Sequence, residues 1–317
     1  MKLHRRLVAF ALCLAMLPVL AQEYPSRPVK LVVPFPPGSA TDVVARLIGY
    51  ELQGTLGQPF IIDNRAGAQA TIGTDFVAKS PADGYTILVA AVSFAAAPSL
   101  VKSVTFDPVK SFAPIGQMVT FPLALVVKPD FPAKTMHEFI AYAKARPGKL
   151  SAGYGSSSSQ VCITQLTAMA GLQVTEVPYK GIPLAVNDVL SGTLDFTFAD
   201  LAVAIPQAKG GALRIIAVTS EKRNPLVPDI PAIAEVLPGY DLAAWLSLFA
   251  PAGTPKDAIQ KIHQATVKAL AKPEIVAKLA AIGLTPAPLG PEETGKHVKS
   301  EVDKWARLVK QAGIKPE

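Results

Sequence analysis

Four stretches of this chain place small, hydrogen-bond-donating residues where an apolar strand gives way to a helix. The first, Pro37, Gly38, Ser39, Ala40, Thr41 and Asp42, follows the β-branched run Leu31-Val32-Val33. Pro34, Pro36 and Pro37 stop the strand, Gly38 lets backbone approach a ligand closely, and Ser39 to Thr41 present helix-start N–H groups without an intrahelical acceptor. Such a turn can bind an anion through those N–H groups and the positive end of the helix dipole. Similar junctions occur at Ala66 to Thr71, which includes Ala68 and Gln69, at Ser93-Phe94-Ala95, and at Gly155 followed by Ser156, Ser157, Ser158 and Ser159. Any one of them by itself reads more readily as an ordinary cap or turn. Four together suggest a cleft at strand ends, lined by N–H and hydroxyl groups and suited to a carboxylate without an arginine.

Other chemistry has little to stand on. His137, His263 and His297 fall on separate helices with no carboxylate or cysteine at metal-ligand spacing, so each reads as a surface helix residue and no metal site is expected. There is no G-x-S-x-G elbow, no Walker A loop and no complete G-x-G-x-x-G. A nucleophile hidden in Ser156 to Ser159 would need a histidine base in a loop, and none is there. No catalytic residue and no cofactor is therefore assigned. Cys162 is the single cysteine of the expected mature chain and reads as a small buried apolar residue.

The elements that must position these residues alternate. Strand Val29 to Val33, helix Thr41 to Thr55, strand Phe60 to Asp63, helix Ile72 to Lys79 and strand Thr86 to Ala90 form a first βα series. Strand Leu123 to Val127 and a helix opened by the capping box Thr135-x-x-Glu138 begin a second. It continues with helix Ser158 to Ala170, strand Val174 to Val177, helix Ile182 to Ser191, strand Phe196 to Ala199, a short helix after Asp200, and strand Arg214 to Thr219. An apolar strand Trp245 to Ala250 leads into a helix expected to have Thr254 as N-cap and Pro255 at its first position. The remainder reads as helical, with Val298, Val302, Trp305 and Val309 on one buried stripe.

The first residues carry Lys2, Arg5 and Arg6, then an apolar run from Leu7 to Leu20 and a small-residue site at Val19-Leu20-Ala21, so residues 1–21 read as a signal peptide cleaved after Ala21. Removing those three bases from 31 leaves 28 against 24 acids, a net charge of +4 for the mature chain. That mild, dispersed charge is not a nucleic-acid footprint. About 296 mature residues exceed what one core usually holds and predict two domains.

Several blocks then acquire a joint meaning: Tyr24-Pro25-Ser26-Arg27-Pro28, Val33-Pro34-Phe35-Pro36-Pro37-Gly38, Asn64-Arg65, Asp83-Gly84-Tyr85, Val177-Pro178-Tyr179-Lys180-Gly181, Ala217-Val218-Thr219-Ser220 and Ala250-Pro251-Ala252-Gly253-Thr254-Pro255. Across essentially the whole mature chain the sequence resembles the solute-binding proteins of tripartite tricarboxylate transporters, the Bug family. The resemblance implies an α/β, type II periplasmic-binding-protein (Venus-flytrap) fold with two crossing strands as hinge, near Pro122 to Val127 and Trp245 to Ala250. Residues 22–123 plus 247–317 would form one domain and 124–246 the other. It implies a periplasmic monomer that closes on a small carboxylate and delivers it to membrane permease subunits.

Carried onto this chain, the loop Pro37 to Asp42 and the serines 156–159 would grip one carboxylate from opposite domains. Ala68, Gln69, Ser93, Phe94, Lys180, Gly181 and Asp200 would shape the rest of the site. Asp42 has capping-box spacing to Ser39 and would repel an anion if it faced one, so it reads as scaffold or a water-ordering group. Lys180 reads also as an exposed turn charge, Asp200 as either a helix cap or a cleft acceptor, and Trp245 as hinge packing.

Ser39 stands where the family often has a second glycine, Gln69-Ala70-Thr71 replaces a glycine-rich turn, Val92 to Ala97 lacks a frequent histidine and asparagine, and Gln160 replaces a histidine. The site is thus more apolar than usual, pointing to a monocarboxylate or aromatic acid and away from citrate. Two other readings compete: a periplasmic ligand sensor for a membrane signalling kinase, and a serine-dependent hydrolase using Ser157 or Ser158.

Overall fold

The computed structural model describes residues 24–311 and 313–314, so the expected signal peptide and its cleavage site lie outside the described residues. Among the described residues no helix is long and apolar enough to cross a membrane. The expected alternation is present, among the described residues, as ten strands with helices packed between them.

Strands β1 (Val29–Val33), β2 (Phe60–Asn64) and β3 (Thr86–Ala91) are parallel, in the order β2-β1-β3. The runs of Val, Leu and Ile in β1 and β3 are buried on both faces, as parallel strands between helix layers must be, whereas β2, on the outside of the set, leaves Ile61 exposed. A second parallel set runs β6-β5-β7, from β5 (Leu150–Tyr154), β6 (Val174–Pro178) and β7 (Phe196–Asp200). Two longer strands join the sets. Strand β9 (Ala243–Pro251) is antiparallel to β3 and to the first part of β4 (Phe112–Val127), from Phe112↔Pro251 to Pro122↔Ala243. Beyond Pro122, β4 changes neighbours and runs between β7 and β8 (Arg214–Val218), with Leu123 opposite Asp200. The molecule is thus α/β with two lobes, each built on one sheet set and sharing β4. Leu123 to Val127 are fully buried, so the crossing is part of the core and not an exposed linker.

The structure corrects several local expectations. The strand read as Leu123 to Val127 is only the last part of a 16-residue strand, Phe112–Val127. The part before Leu123 was illegible because Pro114, Gly116 and Pro122 interrupt it and two register shifts break its alternation. The C-terminal region is not all helical: β10 (Thr285–Leu289), with two prolines, pairs along β4. The helix Lys256–Leu270 starts one residue late, because Thr254 turns its hydroxyl back to the Pro251 carbonyl instead of capping the helix. His263 and His297 are half-buried rather than on the surface. His297 packs edge-on against Trp245, and burial lowers its pKa, with Glu301 opposing that shift and Lys304 adding to it. Trp305 and Cys162 are completely buried, as read.

Candidate functional site

The helix Ala40–Leu56 begins directly after β1, with Ser39 as N-cap accepting a hydrogen bond from the Asp42 N–H at 3.3 Å. Asp42 is almost fully buried, and its carboxylate faces its own lobe. It accepts from the Gly38 N–H (3.0 Å), Arg46 Nε (2.9 Å) and Asn64 Nδ2 (2.9 Å). Burial alone would raise this carboxyl, but the Arg46, Gly38 and Asn64 hydrogen bonds and the Arg46 charge hold it below the ordinary carboxylate range. Asp42 is scaffold, and it takes the Gly38 amide with it; Pro37 and Gly38 are exposed at the outer edge of the turn.

The helix Ser157–Ala170 starts at the end of β5. Ser156 is its N-cap and forms a reciprocal capping box with Ser159. The Ser159 hydroxyl accepts from the Gly155 and Ser156 N–H groups and donates to the Ser156 carbonyl, so it is spent inside the loop. Ser157 looks across the lobes: its N–H donates to Ser93 Oγ at 3.1 Å and its hydroxyl to Gln69 Oε1 at 3.0 Å. Gln69 also reaches Gln160 at 3.4 Å. Among the described residues no histidine is hydrogen-bonded to these serines, so none has the partner a nucleophilic serine requires.

Between the two helix starts lies a cavity of about 20 Å³, room for about one water, so the lobes are closed on each other. Ser39, Thr41, Ser93, Ser156, Ser158 and Asp200 line it, with Phe35, Phe121, Ile182, Ala91, Val92, Ala244 and Leu246 as apolar wall. No lysine, arginine or histidine is in that lining. Most helix-start amides already have partners, yet neither the Thr41 nor the Ser158 N–H makes a hydrogen bond among the described residues. Both residues line the cavity, and a helix-start N–H is where an anion binds. Asp200, at the end of β7, lines the cavity beside Ser39 and Thr41 of the opposite lobe, and burial pushes its carboxyl up to about 7, the nearby Ala40 amide opposing that shift. It does not cap the helix Leu201–Lys209 that follows it.

The remaining expected site residues are placed differently. Phe94 is turned away from the cavity into the core, with ring centroids 4.8 Å from Phe249 and 5.0 Å from Phe112. Lys180 is an exposed turn charge outside the lining, and Ala68 is exposed on a segment whose φ values are positive through Ala70. Gly181 is buried and meets Pro36 of the opposite lobe so closely that a Cβ there would lie 2.4 Å from the proline ring. On β9, Ala244 and Leu246 face the cavity while Trp245 points the other way. The Trp245 and Trp305 indole N–H groups both donate to Glu301 at 2.9 Å, which fixes the strand behind the cleft.

Comparison with known proteins places this geometry. A family model described as the tripartite tricarboxylate transporter family receptor matches residues 44–314. Protein BugT of Bordetella pertussis is 35% identical over 303 residues, covering 94% of this chain and 93% of that protein. An R. palustris protein solved with adipate superimposes with a TM-score of 0.90 at 34% identity, over 93% of this chain and all of that one. MatC from Rhodopseudomonas palustris, solved with bound malate, gives 0.84 at 31% identity, over 90% of this chain and all of that one.

Proposed function

The chain belongs to the tripartite tricarboxylate transporter receptor family, which includes the Bug proteins, and from that premise we propose that it is a periplasmic binding protein that captures a small organic acid between its lobes and delivers it to membrane permease subunits. Domain cuts at 123/124 and 246/247 give the two jaws. The carrying observation is that the Thr41 and Ser158 N–H groups, at two facing helix starts, are unpaired in the wall of a cavity without a cationic side chain. Each helix start carries roughly half a positive charge, so two of them can hold one carboxylate in a dry cleft. Ser39, Ser156 and Ser158 add hydroxyls, and Phe35, Phe121 and Leu246 accept the carbon skeleton. This role involves no bond making or breaking; affinity comes from differential binding to the closed form.

The apolar wall and the absence of a cationic side chain from the lining support a mono- or dicarboxylate, aromatic acids included, over citrate. Calorimetry on the chain from Gln22 onward, with benzoate, adipate, malate and citrate, tests this. One of the first three should bind at least tenfold more tightly than citrate. Tight binding of citrate alone overturns this preference, and no binding by any of the four overturns acid capture.

A further inference from the structure

The one charged side chain in the cavity lining is an acid, in a cleft whose amides are arranged for an anion. Asp200 comes from the second lobe, yet it lines the cavity together with Ser39 and Thr41 at the start of the first lobe's helix and with Ser156 and Ser158 at the start of its own lobe's helix. Its carboxylate therefore shares the space that a ligand carboxylate would use. A direct contact between the lobes flanks it, where Ser93 accepts the Ser157 N–H.

We infer that Asp200 is a specificity-determining residue of the cleft. As an internal acid in the cavity wall, it favours acids that bring a hydrogen-bond donor beside the carboxylate and disfavours fully ionised dicarboxylates. This inference rests on the acid-capture reading above. An ionised Asp200 accepts from a hydroxyl or ammonium and repels a second carboxylate held without a counter-charge. A neutral Asp200 can itself donate to that carboxylate, so closure around a dianion takes up a proton.

The groups around Asp200 leave it to set this response. On the helix Ala40–Leu56, Asp42 is paired with Arg46 at 2.9 Å. On the helix Ser157–Ala170, the thiol of fully buried Cys162 is raised by desolvation and stays protonated, with a Tyr240 hydrogen bond opposing and the Asp200 charge adding to the shift. On β4, Phe121 and Leu123 carry no charge. With a carboxyl pushed up to about 7, the neutral form of Asp200 prevails at pH 6 and the ionised form at pH 8. The neutral fraction falls roughly tenfold between those values.

The test is calorimetry with succinate, malate, adipate and benzoate at pH 6 and pH 8, on the chain from Gln22 and on its Asp200→Asn variant. Asparagine has the shape of the neutral acid and cannot ionise, and a thermal melt verifies folding. In the unsubstituted protein, affinity for whichever of succinate and adipate binds should fall roughly tenfold from pH 6 to pH 8. Malate should lose less. In Asp200→Asn that slope should flatten, and affinity for the plain dicarboxylates at pH 8 should rise about tenfold; ionisation of the acids themselves is common to both proteins and cancels. Equal slopes and an unchanged succinate-to-malate ratio overturn the role of Asp200 while leaving acid capture intact. A flat slope in the unsubstituted protein overturns it even if the variant does not fold, as does binding of benzoate alone with equal affinity in both proteins. No binding of any acid by either protein sinks acid capture itself.

Discussion

The two helix starts that meet at the cleft are finished in different ways. At Ala40–Leu56 the work is done within one lobe, where Ser39 caps the helix and buried Asp42 gathers Gly38, Arg46 and Asn64. At Ser157–Ala170 the capping box between Ser156 and Ser159 is local, but Ser157 is completed only by Ser93 and Gln69 from the opposite lobe. The first jaw is therefore organised before closure, while the second acquires its last partners on closing. Substitutions in the first should appear as lost stability, and those across the lobes as lost affinity.

The largest effects should come from two glycines beside the second helix start. A Cβ at Gly155 would lie 2.2 Å from the Gly181 carbonyl carbon and 2.3 Å from the Ile182 nitrogen, backbone of the same lobe. Gly155→Ala should cost about 3 kcal/mol or more, seen as a lower denaturation midpoint. Gly181→Ala strikes only the Pro36 ring across the cleft, so ligand affinity should fall at least tenfold with the unliganded melt almost unchanged. Equal losses of stability in both variants would remove the distinction between fold and closure.

Asp42→Ala should follow, at about 1–3 kcal/mol, since it removes the buried acceptor shared by the Gly38 amide, Arg46 and Asn64. The same group sets an acid limit. Its folded carboxyl lies below the ordinary value of 3.8, so its contribution is complete above that value and is lost as pH falls through the folded value. Denaturant titrations below about pH 4 should show the unsubstituted protein approaching the variant.

The smallest effects belong to the contacts across the lobes. Ser93→Ala removes the acceptor of the Ser157 N–H and should weaken the closed form by about 1 kcal/mol, a five- to tenfold loss of ligand affinity. Gln69→Ala, which loses bonds of 3.0 and 3.4 Å, should cost less. Neither should move the unliganded melt, and a comparable drop there would place these contacts in the fold itself.

Much of this arrangement was legible from residue order. Strands β1, β3 and β7 and the helix Ile182–Ser191 carry short-range signals, alternation or caps, that survive any tertiary context. The part of β4 before Leu123 and all of β10 were not legible, because prolines and bulges are tolerated there only by virtue of their neighbours. Within the site, Ser39, Thr41, Ser93, Ser156 and Ser158 stood out as polar residues at helix starts. Phe94 misled because Val92 to Ala97 has no polar face to show which way its ring turns. Phe35, Phe121, Ala244 and Leu246 were missed because an apolar cleft wall and an apolar core look alike in one dimension.

By itself the sequence determined where chains of N–H donors would be left unsatisfied. Helix starts, strand ends and their capping residues depend on dihedral preferences and hydrogen bonds within a few residues. Only the tertiary structure decided which donors remain available to a ligand. Asp42 spends the Gly38 amide and Ser93 that of Ser157, whereas Thr41 and Ser158 keep theirs. It also decided the ionisation of Asp200, which follows from burial between lobes joined through β4. Distant segments set those two properties, because hydrogen-bond satisfaction and dielectric environment depend on everything packed around a group.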